Sequence, residues 1–325
     1  MMSNWRGRRI LVTGATGFIG AHLATRLVAA GAQVSAFRRT GVTQPGCVPG
    51  IDWHEVDLRT YGAVSNAVQA IQPERVFHLA AAGVTDPFLS PDAAIRANLY
   101  GALHLLRAVN GAAPVMVART PGERYALNVY AAAKAAAWTF CKMLRRTHNW
   151  PIVGVMPFQV YGPGQPARSL VPAAIAAALR GQDFPMTHGE QQRDWVYVED
   201  VVEAFVQVGS HESRRLSRRL SRRLSRRLES PPTQAPPTDM PPTLEVGTGR
   251  ATPVREVVEL IYRLVGGSGK PLIGVLPARP GEVDRQVADA ERTEQQIGWR
   301  ARVSLEDGLR ETIEWVHKWP SASIN

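Results

Sequence analysis

A tyrosine and a lysine that could act as an acid/base pair stand four residues apart in an alanine-rich stretch. Tyr130 and Lys134 lie in the segment VYAAAKAAAW, in a chain with only four lysines. Residues spaced i and i+4 share one face of a helix. A nearby ammonium stabilises a phenolate and lowers the pKa of the phenol. The spacing therefore predicts that Tyr130 exchanges protons near neutral pH, with Lys134 lowering its pKa.

A glycine-rich turn that could hold a phosphate lies near the start of the chain. Gly14, Gly17 and Gly20 follow an apolar run and open a stretch of helical composition. The first glycine permits a sharp turn, the second lets the backbone approach a pyrophosphate, and the third allows close helix–strand packing. The helix N-terminus then offers unpaired N–H groups to the anion. This pattern predicts a dinucleotide cofactor bound by Gly14, Thr16, Gly17, Phe18, Ile19 and Gly20.

Two arginines stand where the cofactor ribose is expected. About twenty residues after the glycines, where an acid would bond the ribose 2′-hydroxyl, the chain has Arg38 and Arg39. Guanidinium groups make bidentate, charge-assisted bonds to phosphates. The pair therefore favours NADP, which carries a 2′-phosphate, and NAD is the alternative.

The elements that must position these residues alternate along the chain. A strand, the glycine turn, a helix and a second strand fit within the first forty residues and form a βαβ unit, which implies a parallel sheet. Further strands are expected at 75–79, 115–118 and 152–156, and helices near 62–70, 91–109 and 129–146. The alternation predicts an α/β fold: a Rossmann-type doubly wound parallel sheet with a smaller C-terminal substrate-binding lobe.

The expected domain boundaries follow from where this alternation loosens, after Tyr161. The dinucleotide-binding domain is expected over residues 7–165, completed by parts of 194–208 and 243–249. The substrate-binding lobe is expected over 166–193 and 250–319, with helices near 169–180 and 305–319. The 325 residues have 45% hydrophobic content, which excludes a collagen-like or wholly disordered chain.

The net charge of +10 comes from one repeated segment. Residues 213–228 read SRRL four times and hold eight arginines; the rest of the chain has 30 basic and 28 acidic residues, a net charge of +2. Proline pairs follow, so 209–242 is predicted to be a mobile, low-complexity insertion rich in Arg and Pro. A basic helix that binds a membrane or nucleic acid is the alternative to a solvated loop.

Cysteine usage and hydropathy favour a cytoplasmic protein. Cys47 and Cys141 form neither a disulfide framework nor a metal-ligand spacing. No apolar stretch has the length expected of a signal peptide or a membrane span. We therefore expect no membrane partner and no metal, and the near-neutral remainder of the chain disfavours nucleic acid.

The motifs, taken in order, resemble the extended short-chain dehydrogenase/reductase family, especially its nucleotide-sugar epimerases, dehydratases and ketoreductases. The resemblance spans about residues 8–317 and includes, besides the motifs above, Asp57-Leu58, 78–81, 98–101, 160–164, 193–200, 246–249, 279–282 and 297–299. It implies an NAD(P)-dependent epimerase or oxidoreductase that acts on a nucleotide-activated sugar by hydride transfer, and a homodimer.

The resemblance also implies roles for single residues. Tyr130 would exchange the hydroxyl proton, Lys134 would hold the cofactor ribose, and Thr120 would orient the substrate oxygen. Further cofactor contacts are implied for Asp57, Leu58, Leu79, Ala80, Ala81, Asn98 and Pro157, and substrate contacts for Gln159, Arg193 and Arg279, the two arginines facing a diphosphate.

The chain departs from the family pattern between Thr120 and Tyr130. Only ten residues separate them, the usual serine-rich strand end reads Ala118-Arg119, and a loop over the sugar pocket is missing. The Asp-Glu pair of the family's dehydratases is also missing after Thr120, which favours 4-ketoreduction or epimerisation. Two alternatives stay open: a family member with a non-sugar natural-product substrate, and a catalytically weak NAD(P)-binding sensor or scaffold with a basic insertion.

Overall fold

The computed structural model describes residues 5–41, 48–84, 86, 88–210, 243–278 and 281–319. The SRRL repeat, Cys47 and Arg279 lie outside these residues.

Within the described residues, seven parallel strands form the central sheet, and shorter strands follow it in the chain. In chain order the strands are β1 Arg9–Thr13, β2 Gln33–Arg38, β3 Ile51–Glu55, β4 Arg75–His78, β5 Val115–Ala118, β6 Ile152–Pro157, β7 Gln159–Tyr161, β8 Phe184–Pro185, β9 Gln192–Arg193, β10 Trp195–Tyr197, β11 Thr243–Val246, β12 Thr252–Pro253, β13 Pro271–Leu272 and β14 Arg285–Gln286.

The strand order of the central sheet reverses at β1. The order is β11-β6-β5-β4-β1-β2-β3, so β1 pairs in parallel with β2 on one side and β4 on the other. Ligands of open α/β sheets bind at such a switch point, outside the carboxyl ends of the strands. The fold therefore opens a crevice where β1 and β4 end.

Helices and helical turns connect the strands. They are α1 Phe18–Ala29, α2 Tyr61–Ile71, α3 Pro91–Ala94, a π-helix Ile95–Tyr100, α4 Gly101–Val109, a 3₁₀ helix Pro121–Arg124, α5 Val129–His148, α6 Leu170–Leu179, α7 198–210, α8 Val254–Val265, α9 Ala290–Ile297 and α10 Leu305–Lys318.

Local chemistry explains why α5, the helix that carries the Tyr–Lys pair, begins and ends where it does. The Asn128 side chain accepts a hydrogen bond from the backbone N of Ala131 at 2.8 Å, which caps the first turn. The alanine-rich run that follows has high helix propensity. Asn149 then adopts a left-handed conformation with φ of 54° and ends the helix.

Apolar clusters cover both faces of the sheet. Ile10 and Val12 belong to one cluster with α1 and α7, while Leu11 belongs to another with α2, α4 and α5. Alternate residues of a strand point to opposite faces, so the sheet is packed between two helical layers. The predicted α/β fold with a doubly wound parallel sheet is confirmed.

A third apolar cluster packs α6, α8 and α10 together. Ile175, Val257, Ile261 and Leu309 are buried in it, and Tyr161 and Tyr197 bring β7 and β10 against it. No helix among the described residues has the length and hydropathy to cross a membrane.

Two elements differ from the sequence-based expectation. Strand β3 was not expected, because it is a short, half-exposed edge strand that pairs only with β2 and carries Asp52 and His54 among its five residues. The helix expected over 91–109 contains the π-helical turn Ile95–Tyr100. A π-turn depends on tertiary packing and leaves no clear periodicity in a sequence.

Candidate active site

The glycine turn is built by close contacts that exclude side chains. Gly14 has φ of +81°, and a Cβ there would lie 2.5 Å from the backbone N of Ala80. A Cβ on Gly20 would lie 2.0 Å from the carbonyl oxygen of Gly14. Gly17 donates its N–H to the same carbonyl at 2.9 Å. The turn is therefore pressed against both the end of β4 and the start of α1.

The first turn of α1 suits an anion. Gly17 is the N-cap and provides no side-chain cap, so the first N–H groups remain available for a ligand. Thr16 is half-buried beside it, Phe18 packs toward the third cluster, and Ile19 packs toward the sheet. The geometry around the glycines fits a dinucleotide pyrophosphate.

A buried hydrogen bond joins β1 to β4 under this turn. The Thr13 hydroxyl lies 2.7 Å from Nδ1 of His78, and it also accepts the N–H of Ala80 at 3.4 Å. Burial lowers the pKa of His78 to about 3, and the charge of Lys134 adds to this effect. A neutral His78 therefore holds the chain that continues through Leu79, Ala80 and Ala81.

Asn98 holds the next part of the same segment. It is buried in the π-helix, accepts the N–H of Ala82 at 2.8 Å and donates to the carbonyl oxygen of Ala82 at 3.0 Å. Both backbone groups of Ala82 are thus satisfied by one amide. The structure places Asn98 as a support for the chain after β4.

The residues expected around the ribose are already engaged with charged neighbours. Arg38 lies 3.4 Å from Glu55. Asp57 accepts from Arg59 through both carboxylate oxygens, at 2.5 to 3.0 Å. The Arg59 guanidinium, with a smaller contribution from Arg39, holds the pKa of Asp57 below its usual range.

Arg39 and Asp57 share one surface depression, although their positions are 18 apart in the chain. It is lined by Arg39, Thr40, Gly41, Asp57 and Arg59. The carbonyl oxygen of Leu58, the next residue after Asp57, is 2.8 Å from Nδ1 of His104. Arg59 was not among the predicted site residues; an arginine two positions after the acid was the available signal.

The Tyr–Lys pair lies at the start of α5, near the carboxyl end of β5. Lys134 is buried, and its Nζ donates to the carbonyl oxygen of Ala118 at 2.5 Å. Burial lowers the pKa of Lys134. The structure thus brings the lysine to the sheet edge at which β1 and β4 also end.

The pKa of Tyr130 moves in the direction opposite to the one predicted. Burial raises the pKa of the Tyr130 phenol, and the Glu123 carboxylate raises it further. The charge of Lys134 does not reverse this rise, and its ammonium donates to the end of β5. The sequence showed the pair but not the burial of the phenol or the nearby acid.

Thr120 reaches the start of α5 through a tight turn. Its hydroxyl accepts the N–H of Gly122 at 3.4 Å and caps the 3₁₀ helix. A Cβ on Gly122 would touch the Ala131 Cβ at 3.4 Å, so the 3₁₀ helix lies directly on the first turn of α5. Thr120 and Tyr130 are therefore held in one compact unit, with the Thr120 hydroxyl engaged in that cap.

Arg119 and Glu123 are site residues that the sequence interpretation missed. Arg119 donates to Oε2 of Glu123 through Nε at 2.8 Å and Nη2 at 2.6 Å. Oε1 of Glu123 accepts the N–H of Thr120 at 3.0 Å. Thr120 to Glu123 has the S/T-x-x-E spacing of a capping box, which was the available sequence signal.

The predicted cofactor contact Pro157 and the predicted substrate contacts Gln159 and Arg193 lie on β6, β7 and β9. Pro157 ends β6, pairs with Val246 and is buried. Gln159 donates its N–H to the carbonyl oxygen of Asp194 at 2.9 Å. Arg193 lies 3.2 Å from Glu282, and burial lowers its pKa.

Asp194 joins three segments beside Arg193, a role that the sequence interpretation missed. Its carboxylate accepts the N–H and hydroxyl of Thr248 at 2.7 Å, the N–H of Gly249 at 2.9 Å and the N–H of Ala288 at 3.1 Å. A Cβ on Gly247 would lie 2.4 Å from this carboxylate. The loop after β11 is therefore fixed next to Arg193.

Comparison with known proteins identifies the family. Residues 10–219, which include the glycine turn and the Tyr–Lys pair, match the family described as NAD dependent epimerase/dehydratase family. The chain belongs to this family. Membership confirms the predicted resemblance to extended short-chain dehydrogenases/reductases and makes the protein an enzyme of the NAD dependent epimerase/dehydratase family.

Relatives of the family resemble the chain over nearly its whole length. A probable UDP-glucuronate 4-epimerase from Rhizobium meliloti is 28% identical over 345 residues, covering 94% of this chain and 96% of that protein. The crystal structure of a UDP-glucose 4-epimerase with UDP-glucose from Thermotoga maritima has a TM-score of 0.79 at 25% identity, covering 95% of this chain and 98% of that one. MoeE5, solved with UDP-glucuronic acid and NAD, has a TM-score of 0.75 at 27% identity, covering 95% and 99%.

Proposed function

We propose that this protein is an NAD(P)-dependent epimerase or oxidoreductase of a nucleotide-activated sugar. The observation that carries the proposal is the placement of Lys134 against the end of β5, one turn from Tyr130. The glycine turn stands at the end of β1, two strands away in the same sheet. Relatives named for UDP-glucuronate and UDP-glucose support a UDP-sugar as the substrate class.

Each residue of the site has a separate role in the proposed reaction. Bound NAD(P) would accept a hydride from a sugar carbon and return it. The Tyr130 phenolate takes the proton of the sugar hydroxyl when the carbonyl forms, and the phenol gives it back when the carbonyl is reduced. Thr120 orients that oxygen. Lys134, one turn from Tyr130 on α5, would hold the cofactor ribose. Arg193 would bind the diphosphate of the substrate.

For the cofactor, we propose NADP with Arg39 as the residue that recognises its 2′-phosphate. Arg39 and Arg59 line the same depression, which supports an anion site. Asp57 in that depression and the ion pair of Arg38 with Glu55 support NAD, the alternative. Titration of NADPH and NADH followed by nucleotide fluorescence decides between them: Arg39→Ala weakens NADPH binding by about tenfold or more and leaves NADH binding unchanged if the proposal holds. Equal weakening of both rejects it.

We also propose a homodimer through the helices on the α5 side of the sheet. Ile95 and Tyr100 of the π-helix and Phe140 of α5 are exposed apolar side chains, and α5 packs against the π-helix. Light scattering of Phe140→Asp tests this, with a dimeric wild type and a monomeric variant as the expected result.

A cytoplasmic location remains our proposal from cysteine usage; Cys141 is a buried free thiol.

Turnover of defined substrates tests the function. Purified protein is incubated with UDP-glucose, UDP-glucuronic acid and their 4-keto derivatives, with NAD, NADH, NADP and NADPH, and products are separated by chromatography and identified by NMR. We expect turnover that falls at least about 100-fold in Tyr130→Phe. Folded protein that binds cofactor but converts none of these substrates would reject the proposal and favour a cofactor-binding sensor or scaffold.

The short segment before α5 favours one second candidate. The 3₁₀ helix Pro121–Arg124 leads directly to Tyr125 and Leu127, two large exposed side chains just before α5. Such a surface suits a bulkier, less polar substrate than a UDP-sugar. Reduction of hydrophobic ketones with NADPH, combined with no conversion of the sugar panel, would favour this non-sugar activity.

A further inference from the structure

The Arg119–Glu123 ion pair is a buried charged pair that the proposed chemistry leaves unused. The side chains of Arg119 and Glu123 are 12% and 2% exposed. Removing charges from water is expensive unless they are paired and hydrogen-bonded. Their place is between the end of β5 and the start of α5, the segment in which this chain departs from its family pattern.

We propose that Glu123, clamped by Arg119, is a positioning residue for Thr120 and for the Tyr130–Lys134 pair. This inference rests on the function proposed above. Glu123 acts through its neighbours and touches neither substrate nor cofactor.

The Arg119–Glu123 ion pair, called the clamp below, connects four parts of the fold. Glu123 holds the backbone N–H of Thr120. Arg119 donates through Nη1 to the hydroxyl of Thr243 on β11 at 2.6 Å, and its guanidinium carbon lies 4.4 Å from the ring centre of Trp138 on α5. The pair therefore ties the strand end, the 3₁₀ helix, β11 and α5 together.

The clamp fixes the short segment between Thr120 and Tyr130. Ten positions separate Thr120 from Tyr130, and the 3₁₀ helix uses four of them. The Thr120–Glu123 capping box holds the first turn of that helix, and Gly122 packs on Ala131 of α5. Without the Glu123 carboxylate the N–H of Thr120 would lose its partner and the turn would be free to shift on α5.

Glu123 also controls the charge around the pair. The charged or titratable groups that interact with it are Arg119 at the strand end and Tyr130, Lys134 and Cys141 on α5. Arg124 on the same turn pairs instead with Glu245 of β11. The Glu123 carboxylate raises the pKa of Tyr130 and opposes the lowering of the pKa of Lys134 by burial. Its negative charge therefore favours the protonated form of both groups.

The first test removes the charge of Glu123 and keeps its shape. Glu123→Gln still offers an amide oxygen to Thr120 but no longer repels a phenolate. We expect both limbs of the pH profile of kcat/KM for a UDP-sugar to move to lower pH by about 0.5 to 1 unit, because the pKa values of Tyr130 and Lys134 both fall. Glu123→Asp, which retains the charge, should keep the limbs within about 0.2 unit of the wild type.

A matched control separates this effect from a general loss of stability. Glu311→Gln removes a carboxylate that accepts from Tyr197 at 2.5 Å on α10, in the third cluster. We expect it to leave the pH limbs in place. The positioning role would be overturned if the limbs of the pH profile stay fixed in Glu123→Gln and its loss of kcat/KM is no larger than that of Glu311→Gln.

The second test needs no turnover and keeps the inference separate from the proposed function. Hydrogen exchange of the Thr120 amide is measured in the wild type, Glu123→Gln and Glu123→Ala. We expect exchange to accelerate about tenfold or more in Glu123→Ala and to change less in Glu123→Gln, which retains an acceptor. If the wild type converts no sugar, the proposed function fails and this measurement alone decides: equal Thr120 exchange in all three proteins rejects the clamp. If Glu123→Ala does not fold, Glu123→Asp is measured instead, because its shorter side chain draws the acceptor away from the Thr120 N–H; exchange at the wild-type rate in that variant rejects the clamp.

Discussion

Lys134 Nζ donates a 2.5 Å hydrogen bond to the carbonyl oxygen of Ala118, the last residue of β5. A buried ammonium on a helix is thereby attached to the end of a strand. Because parallel strands present their carboxyl ends at one edge of the sheet, this bond places the first turn of α5 at the crevice beside the glycine turn. The position of the candidate acid/base pair depends on this contact.

Replacing Lys134 should separate its chemical role from its structural one. Lys134→Met keeps the stem of the side chain and removes the charge. We expect at least about a 100-fold loss of kcat with an unfolding free energy within about 1 kcal/mol of the wild type, since an apolar replacement of a buried charge is often neutral. Urea unfolding and steady-state kinetics measure the two effects, and a kcat near that of the wild type would contradict the assigned role.

Adding a methyl group to Gly20 should disrupt the glycine turn, and the same change at Gly62 serves as the control. Gly20→Ala places a Cβ 2.0 Å from the carbonyl oxygen of Gly14, so the turn must shift. We expect a loss of about 2 to 3 kcal/mol in unfolding free energy and a large loss of cofactor affinity. Gly62→Ala in α2, where nothing lies within 4 Å of the added carbon, should be neutral or stabilising by up to about 1 kcal/mol. Similar behaviour of the two variants would reject the assigned role of Gly20.

The hydrogen bonds of His22 lead us to expect that the unfolding free energy depends on pH. Its Nδ1 lies 2.7 Å from Glu199 and its Nε2 2.8 Å from the carbonyl oxygen of Pro163. Both partners are acceptors, so the ring must carry both protons to satisfy them. Burial opposes the charge, but the hydrogen bonds to Glu199 and Pro163 outweigh it, and the net effect raises the pKa of His22.

The sign of that dependence follows from the raised pKa. The stabilisation is fully present below the pKa of histidine in the unfolded chain and is lost as pH rises through the higher pKa of the folded state. The difference in unfolding free energy between the wild type and His22→Gln should therefore shrink between about pH 6 and pH 8. A difference that stays constant over this range, measured by urea unfolding at each pH, would contradict the double hydrogen bond.

Replacing the Asp194 carboxylate by an amide should strongly lower the unfolding free energy. Asp194→Asn puts an NH₂ group where backbone N–H groups of Gly249 and Ala288 need an acceptor. We expect a loss of about 2 to 4 kcal/mol in unfolding free energy. We also expect a higher KM for the sugar nucleotide, because Arg193 is the adjacent residue. A loss below about 0.5 kcal/mol would show that the loop after β11 holds without this carboxylate.

Much of the fold and part of the site could be predicted from short stretches of sequence. The glycine turn joins a strand and a helix that are consecutive in the chain, so Gly14, Gly17 and Gly20 carry their own signal. The contact of Gly14 with the end of β4 lies outside that local unit. Tyr130 and Lys134 are on one helical face because of their spacing alone. The alternation of strands and helices predicted the doubly wound sheet for the same reason.

Only the tertiary structure decided how these local units affect one another. Arg119 meets Thr243, which is 124 positions away, and Asp194 collects N–H groups from 54 to 94 positions away. The pKa of Tyr130 rises because the fold buries the phenol and brings Glu123 near it, whereas spacing alone predicted a fall caused by Lys134. Burial and long-range charge depend on which segments pack together, and neither can be read from the distance between residues along the chain.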